Sequence, residues 1–276
     1  MSSSSSIPVI DFMEFPLQSH KLLQASQDWG CFRLINHTIS PNLMAEMKAS
    51  VRALLDLPAD IKQRNKDVIA GSGYVAPSKN NPLYEGLGLY DIASLESVHH
   101  FCSQLEASSS QRETIVKYSV AVHELAMELG GMLCRSMGFD DHPGFTDSGF
   151  LTILQDDERV GGLEVLDERS GEFVSVDPLA NSLLVNFGDV AKVWSNGRFC
   201  NVRHRVQCKE AAVRISIALF VLGPKGAAIE APSELVDAEH PRLFVPFTFE
   251  DYRKLRLSTG LRAGEALADL LCKASS

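Results

Sequence analysis

An α+β fold, with helices in the first half of the chain and a double-sheet antiparallel core in the second, is predicted by three features of the sequence. Apolar periodicity changes once, near residue 140, from helical spacing to short alternating or continuous runs. Before that change stand two helix-start signatures. After it come six short apolar runs separated by Asp, Gly and Asn turn residues.

The elements follow in order. A serine run leads directly into Ile7-Pro8-Val9-Ile10-Asp11 and reads as a short polar tail with no apolar leader behind it. Ser40-Pro41 supplies an N-cap and a proline at the first helical position; apolar residues 43, 44, 47, 51, 54 and 55 keep helical spacing until Pro58. Ser110-Gln111-Arg112-Glu113 reads as a capping box that opens a long helix. Its inward set is Ile115, Val116, Val120, Val122, Leu125, Ala126, Leu129 and Leu133, and it closes near Gly138. Strands are expected at 151–154, 161–165, 172–176, 182–186, 199–207 and 214–222, a number and spacing that fit a jelly roll. An amphipathic piece at 264–271 predicts a C-terminal helix. With no repeat and no linker, the chain reads as one structural unit: a mostly helical region over 1–139, then the core and C-terminal helix over 140–276.

Bulk properties narrow the function. The 276 residues, 45% hydrophobic, suffice for one large domain. A formal charge of −9 without a basic patch argues against nucleic acid or an anionic membrane as partner. The six cysteines, at 31, 102, 134, 200, 208 and 272, form no C-x-x-C pair, which suits free thiols in a reduced compartment. Without an 18-residue apolar run, a cytoplasmic protein is expected; a monomer is expected as well.

The residues that carry chemistry lie after residue 140. His204 follows the turn Ser195-Asn196-Gly197-Arg198 and sits early on a strand, with Arg203 and Arg205 directed to the other side. Asp147 and His204 read as two corners of an iron site of the two-histidine, one-carboxylate kind. Phe145 stands two residues before Asp147, where such a site would place its first histidine. Arg214 opens an apolar run with Ser216 on the same face; no fixed partner for the guanidinium is evident, which suggests a ligand carboxylate. Each residue also has an ordinary use: a packing histidine, an Asp-Ser-Gly turn, an edge arginine reaching water.

Taken with Gly161-Gly162-Leu163-Glu164-Val165 and Asn186-Phe187-Gly188-Asp189, these residues resemble the plant soluble 2-oxoglutarate/Fe(II) dioxygenase superfamily. The likeness begins at Ile7-Pro8-Val9-Ile10-Asp11 and continues through Trp29-Gly30-Cys31-Phe32-Arg33-Leu34-Ile35-Asn36-His37. Gly71-Ser72-Gly73-Tyr74, Leu87-Gly88-Leu89-Tyr90-Asp91 and Trp194-Ser195-Asn196-Gly197-Arg198 make it most similar to the branch that oxidises the auxin indole-3-acetic acid to 2-oxindole-3-acetic acid. The resemblance implies Fe(II) on Asp147 and His204, and 2-oxoglutarate held at its far carboxylate by Arg214 and Ser216. It implies ascorbate as reductant, release of succinate and CO₂, and an indole acid as small-molecule substrate; Tyr74, Tyr84 and Tyr90 are candidates to line its pocket, or else ordinary half-buried tyrosines with satisfied hydroxyls, and His37 is structural.

One stretch departs from the family. Only residues 139–146 separate Gly138 from Asp147, where relatives carry two core strands with an Asn-x-Tyr motif and the first iron-binding histidine. The expected core therefore lacks two strands and exposes strand edges. His142, five positions before Asp147, is the one candidate to replace the missing imidazole. The alternative reading is an impaired or inactive short form that binds an indole acid or a partner without turnover.

Overall fold

Strands and helices alternate early in the chain and strands dominate later. The computed structural model describes residues 6–139, 149–207, 209, 211–223, 226–260 and 264–272. His142, Phe145 and Asp147 lie outside the described residues. The strands are β1 (Val9–Asp11), β2 (Cys31–Ile35), β3 (Gly149–Gln155), β4 (Leu163–Asp167), β5 (Glu172–Ser175), β6 (Leu183–Phe187), β7 (His204–Val206), β8 (Ile217–Leu222), β9 (Ala228–Ile229) and β10 (Phe247–Thr248). The helices are α1 (Ser19–Asp28), α2 (Pro41–Leu55), α3 (Ala59–Lys62), α4 (Leu95–Gln104), α5 (Ser109–Ser136), α6 (Asp189–Trp194) and α7 (Phe249–Thr259). The chain divides into two units, Thr38–Leu125 and the remainder.

In the unit Thr38–Leu125, helix starts follow local chemistry. Ser40 accepts from the Leu43 amide and Pro41 takes the first helical position, as the sequence predicts. The capping box of α5 is set two residues earlier than expected. Ser108 Oγ accepts from the Gln111 amide while Gln111 Oε1 accepts from the Ser108 amide. Glu113 is paired along the helix with Lys117 instead. Three consecutive serines offered three starts, and glutamine closes the box as well as glutamate does. The inward set is corrected as well: Val120 is 50% exposed, while Tyr118 and Ser119 are buried. Backbone approaches between loops are close here, since a Cβ on Gly88 would stand 2.0 Å from the Ser72 carbonyl oxygen. Asn65 holds that loop by donating to the Gly88 carbonyl and accepting from the Gly88 amide.

The other unit holds the double-sheet core. A five-stranded sheet runs β1-β2-β6-β3-β8 and a three-stranded sheet runs β5-β4-β7. Pairing is antiparallel except between β1 and β2. Trp29, Cys31, Leu163, Val165, Val176, Leu184 and Val202 form the buried cluster that includes residues of both sheets. The opposite face of the large sheet buries Phe32, Leu34, Leu183, Val185 and Phe187. Phe187 lies in a chain of edge-on and tilted ring contacts with Phe150, Phe199 and Trp194.

This is the jelly-roll arrangement that the turn spacing predicts, with two corrections to its front and several to its boundaries. Residues 9–11 and 31–35, unassigned in the sequence reading, form strands of the large sheet. The expected strand 199–207 shrinks to β7, because the Phe199 amide bonds to Ser195 Oγ and the Cys200 amide to the Ser26 carbonyl rather than to a ladder. The expected strand 214–222 starts at Ile217, because the Ile215 amide is taken by Asp157 Oδ2. The expected C-terminal helix is a short 3-10 turn, Ala266–Leu270, whose end bridges Phe244 through Leu271. The true helix of that region is α7, capped by Thr248 and ended by Gly260 in the left-handed conformation.

Among the described residues, β7 pairs only with β4 and β8 only with β3, so each is an edge. The five described cysteines are free thiols. No described helix is long and apolar enough to cross a membrane.

Candidate active site

Strand register sets what faces the space between the sheets. His204 lies opposite Val165 of β4, so it shares the inward face of the buried cluster, yet it remains exposed on its edge strand. Its Nδ1 stands 3.3 Å from the Val202 carbonyl oxygen. A proton on Nδ1 donating to that oxygen leaves the Nε2 lone pair available to a metal. Gly162 lets β7 come close: its carbonyl accepts from the Gln207 amide, and a Cβ on it would be 2.3 Å from the Gln207 carbonyl oxygen. On the opposite face Arg205 donates to Glu164 Oε2 at 2.8 Å and lies over the Phe173 ring, 3.9 Å from its centroid. Hydrogen bonds from Arg205 and Lys209 hold the Glu164 carboxyl below the usual range. The alternation expected around His204 is thus observed, and its neighbours tie β7 down while the imidazole faces inward.

Arg214 lies two residues before Ser216 on the approach to β8. Its Nη1 donates to Ser216 Oγ at 3.3 Å, so the two side chains are together as the sequence predicts. The expectation that Arg214 has no fixed partner is corrected. Its Nη2 donates to the Asp156 carboxylate; the side chains are 12% and 5% exposed. Asp156 and Asp157 divide their work at the end of β3. Asp157 accepts from the Arg159, Val160 and Ile215 amides and so fixes the turn beside Arg214. The sequence signal was there: two consecutive carboxylates, one residue beyond the apolar Leu151-Thr152-Ile153-Leu154 run, are costly to bury without partners.

Sequence reasoning also missed Arg33 of β2. Register places it beside Leu184, and through Leu184 beside Leu154 and Ala218, on the face that carries Cys31. It is 3% exposed. Its Nη2 donates to the Asp177 carbonyl at 2.7 Å, while Nη1 is buried without a hydrogen-bond partner. Burial lowers its pKa, opposed by Asp156, Asp177 and Cys31.

Tyr74, Tyr84 and Tyr90 belong to the unit Thr38–Leu125. The Tyr74 hydroxyl donates to Glu85 Oε1 at 2.6 Å, and Lys62 Nζ donates to the same oxygen at 2.5 Å. The Glu85 bond, then burial, pushes the Tyr74 phenol up to about 12. Tyr84 is 52% exposed and Tyr90 is half-buried.

Iron chemistry asks for imidazole and carboxylate donors facing an open space beside a carboxylate clamp. Among the described residues no group of three His, Cys, Asp or Glu side chains could hold a metal ion. His204 is the expected ligand that is described, and its free Nε2 on the inward face fits the requirement, as do Arg214 and Ser216 for a carboxylate.

Comparison with known proteins agrees with this architecture. Residues 132–223 match the 2OG-Fe(II) oxygenase superfamily and residues 7–112 match the N-terminal region of non-haem dioxygenases, described from morphine synthesis. The chain is 50% identical to the rice 2-oxoglutarate-dependent dioxygenase DAO over 279 residues, which takes in 92% of this chain and 93% of that enzyme. That alignment is longer than the whole 276-residue chain, so the rice enzyme has residues without a counterpart here. The crystal structure of the rice dioxygenase for auxin oxidation has a TM-score of 0.88 at 47% identity, covering 97% of this chain and all of the other. The Arabidopsis thaliana dioxygenase for auxin oxidation 1, in complex with 2-oxoglutarate, has a TM-score of 0.81 at 51% identity, covering 86% of this chain and all of that one. With its jelly-roll core, its inward histidine and its arginine-serine pair, this chain belongs to the 2-oxoglutarate/Fe(II)-dependent oxygenase superfamily.

Proposed function

We propose that the chain oxidises indole-3-acetic acid to 2-oxindole-3-acetic acid, with one 2-oxoglutarate and one O₂ consumed and one succinate and one CO₂ released per turnover. The observation that carries this reading is 50% identity, across 92% of the chain, to a dioxygenase whose relatives of solved structure oxidise auxin. Bound Fe(II) and 2-oxoglutarate would supply the oxidising power, and ascorbate would keep the iron reduced. The protein's part is to hold and orient. Asp147 and His204 would bind the iron, the latter through Nε2. Arg214 and Ser216 would take the far carboxylate of 2-oxoglutarate by paired N–H and O–H donors. Tyr74, Tyr84 and Tyr90 remain candidates for the substrate pocket; for Tyr74 the ring would serve, since its hydroxyl is committed to Glu85. The protein would work as a monomer in the cytoplasm.

The test is turnover. Purified chain with Fe(II), ascorbate, 2-oxoglutarate and indole-3-acetate should form 2-oxindole-3-acetate and succinate in equal amounts by mass spectrometry. Succinate release with a gibberellin or flavonoid but not with indole-3-acetate would overturn the substrate; none with any of them would overturn the activity.

A further inference from the structure

We infer that Arg33 receives the Asp156 carboxylate when 2-oxoglutarate takes Arg214, making Arg33 a positioning residue for co-substrate binding. The inference rests on the proposed role of Arg214. In the structure Asp156 occupies one nitrogen of the Arg214 fork. A dicarboxylic acid binding there needs two adjacent N–H groups. Asp156 and the incoming carboxylate would then crowd one guanidinium, and two like charges a few ångströms apart in a buried site repel strongly. Asp156 therefore needs a second cation.

Arg33 is placed to be that cation. It lies on the same inward face, separated from Leu154 by Leu184, and Asp156 follows Leu154 by two residues, on the same side of the chain. The Asp177 carbonyl fixes one end of the guanidinium, and the nitrogen at its other end is buried with nothing to donate to. A buried, unsatisfied guanidinium N–H is costly, and it is ready to bond an acceptor that swings from Arg214. Charge agrees: Asp156 is ion-paired with Arg214 and is also the first of the opposite charges that act on Arg33. Asp156 would thus be a counter-ion that moves from one arginine to the other.

The experiment is calorimetric titration of 2-oxoglutarate into the full chain with Mn(II) in place of Fe(II), so that binding is read without turnover. Arg33→Met should raise Kd about ten-fold, or about 1.4 kcal/mol, and Arg33→Lys, which keeps the charge, about three-fold. In an Asp156→Asn background, where no charge has to move, the Arg33→Met effect should fall to about two-fold or less. An equal loss in both backgrounds, or no loss from Arg33→Met in folded protein, would overturn the inference. Should Arg33→Met fail to fold, Arg33→Lys carries the same cycle. Absence of 2-oxoglutarate binding by the unmodified chain would instead overturn the role of Arg214 on which the inference rests.

Discussion

The two sides of the core differ in a way that separates stability from function. Strand β6 lies between β2 and β3, and its residues Leu183, Val185 and Phe187 are fully buried in an aromatic and aliphatic layer. Strands β7 and β8 have one neighbour each among the described residues, and Phe220 of β8 is 63% exposed. The candidate ligands are on or beside those edges: His204 begins β7 and Arg214 leads into β8. Hydrophobic burial on one side offsets the entropy of ordering, while the other carries polar donors on or beside strands with a single neighbour.

That contrast can be broken at its strong end first. Phe187→Ala should cost about 3–5 kcal/mol in urea denaturation, since it empties the centre of the ring cluster. A cost below about 1 kcal/mol would show that the β6 side does not dominate stability. Next in size, Arg214→Met should weaken 2-oxoglutarate binding about a hundred-fold by calorimetry, through loss of the charged fork. Glu85→Gln, in the unit Thr38–Leu125, should cost about 2 kcal/mol because buried Lys62 loses its charged partner.

The Glu85 effect has a defined pH window. Burial raises the Glu85 pKa, but hydrogen bonds from Lys62 and Tyr74 outweigh it and the net direction is down. A lowered carboxyl contributes stability above its unfolded value, about 4.3, that is lost as pH falls through the folded value. The Tyr74 phenol is raised, so its share is present below about 10 and is lost as pH rises through its folded value of about 12. The difference between wild type and Glu85→Gln should hence be flat between those limits and shrink in acid; a difference that grows in acid would contradict the assignment.

Smaller effects sharpen the weak end. Phe145→His restores the His-x-Asp spacing and should tighten Fe(II) binding about ten-fold by competitive chelation, because two protein ligands hold a labile metal less well than three. Unchanged affinity would mean that residue 145 cannot reach the iron. Last, Phe220→Ser should move stability by less than about 0.5 kcal/mol, as an exposed edge position allows.

Much of this was legible in local signals. The Ser40-Pro41 start, the strand runs after residue 149 and the pairing of Arg214 with Ser216 depend on neighbours a few residues apart, where period and capping rules act. The Thr248 to Asp251 spacing and Gly260 were equally local and would have found α7. What escaped was long-range. Asp156 stands 58 positions from Arg214, and Arg33 comes to the core through β2. Only strand register brings those charges to one face, and no period in the sequence encodes it.

Asp189, at the start of helix α6, shows a last consequence of contacts between distant stretches of the chain. Its buried carboxylate accepts from Asn201, from the Tyr252 hydroxyl and from the Gly264 amide at 3.0 Å. Burial, then this bond, pushes the Tyr252 phenol well above its ordinary value. Three stretches of chain are read by one side chain, so their substitutions are not independent. Once Asp189 is lost, a change at Asn201 or Tyr252 costs less than it does alone. Sequence drift at these positions is therefore expected to be historical, with each replacement tolerated or not according to which came first.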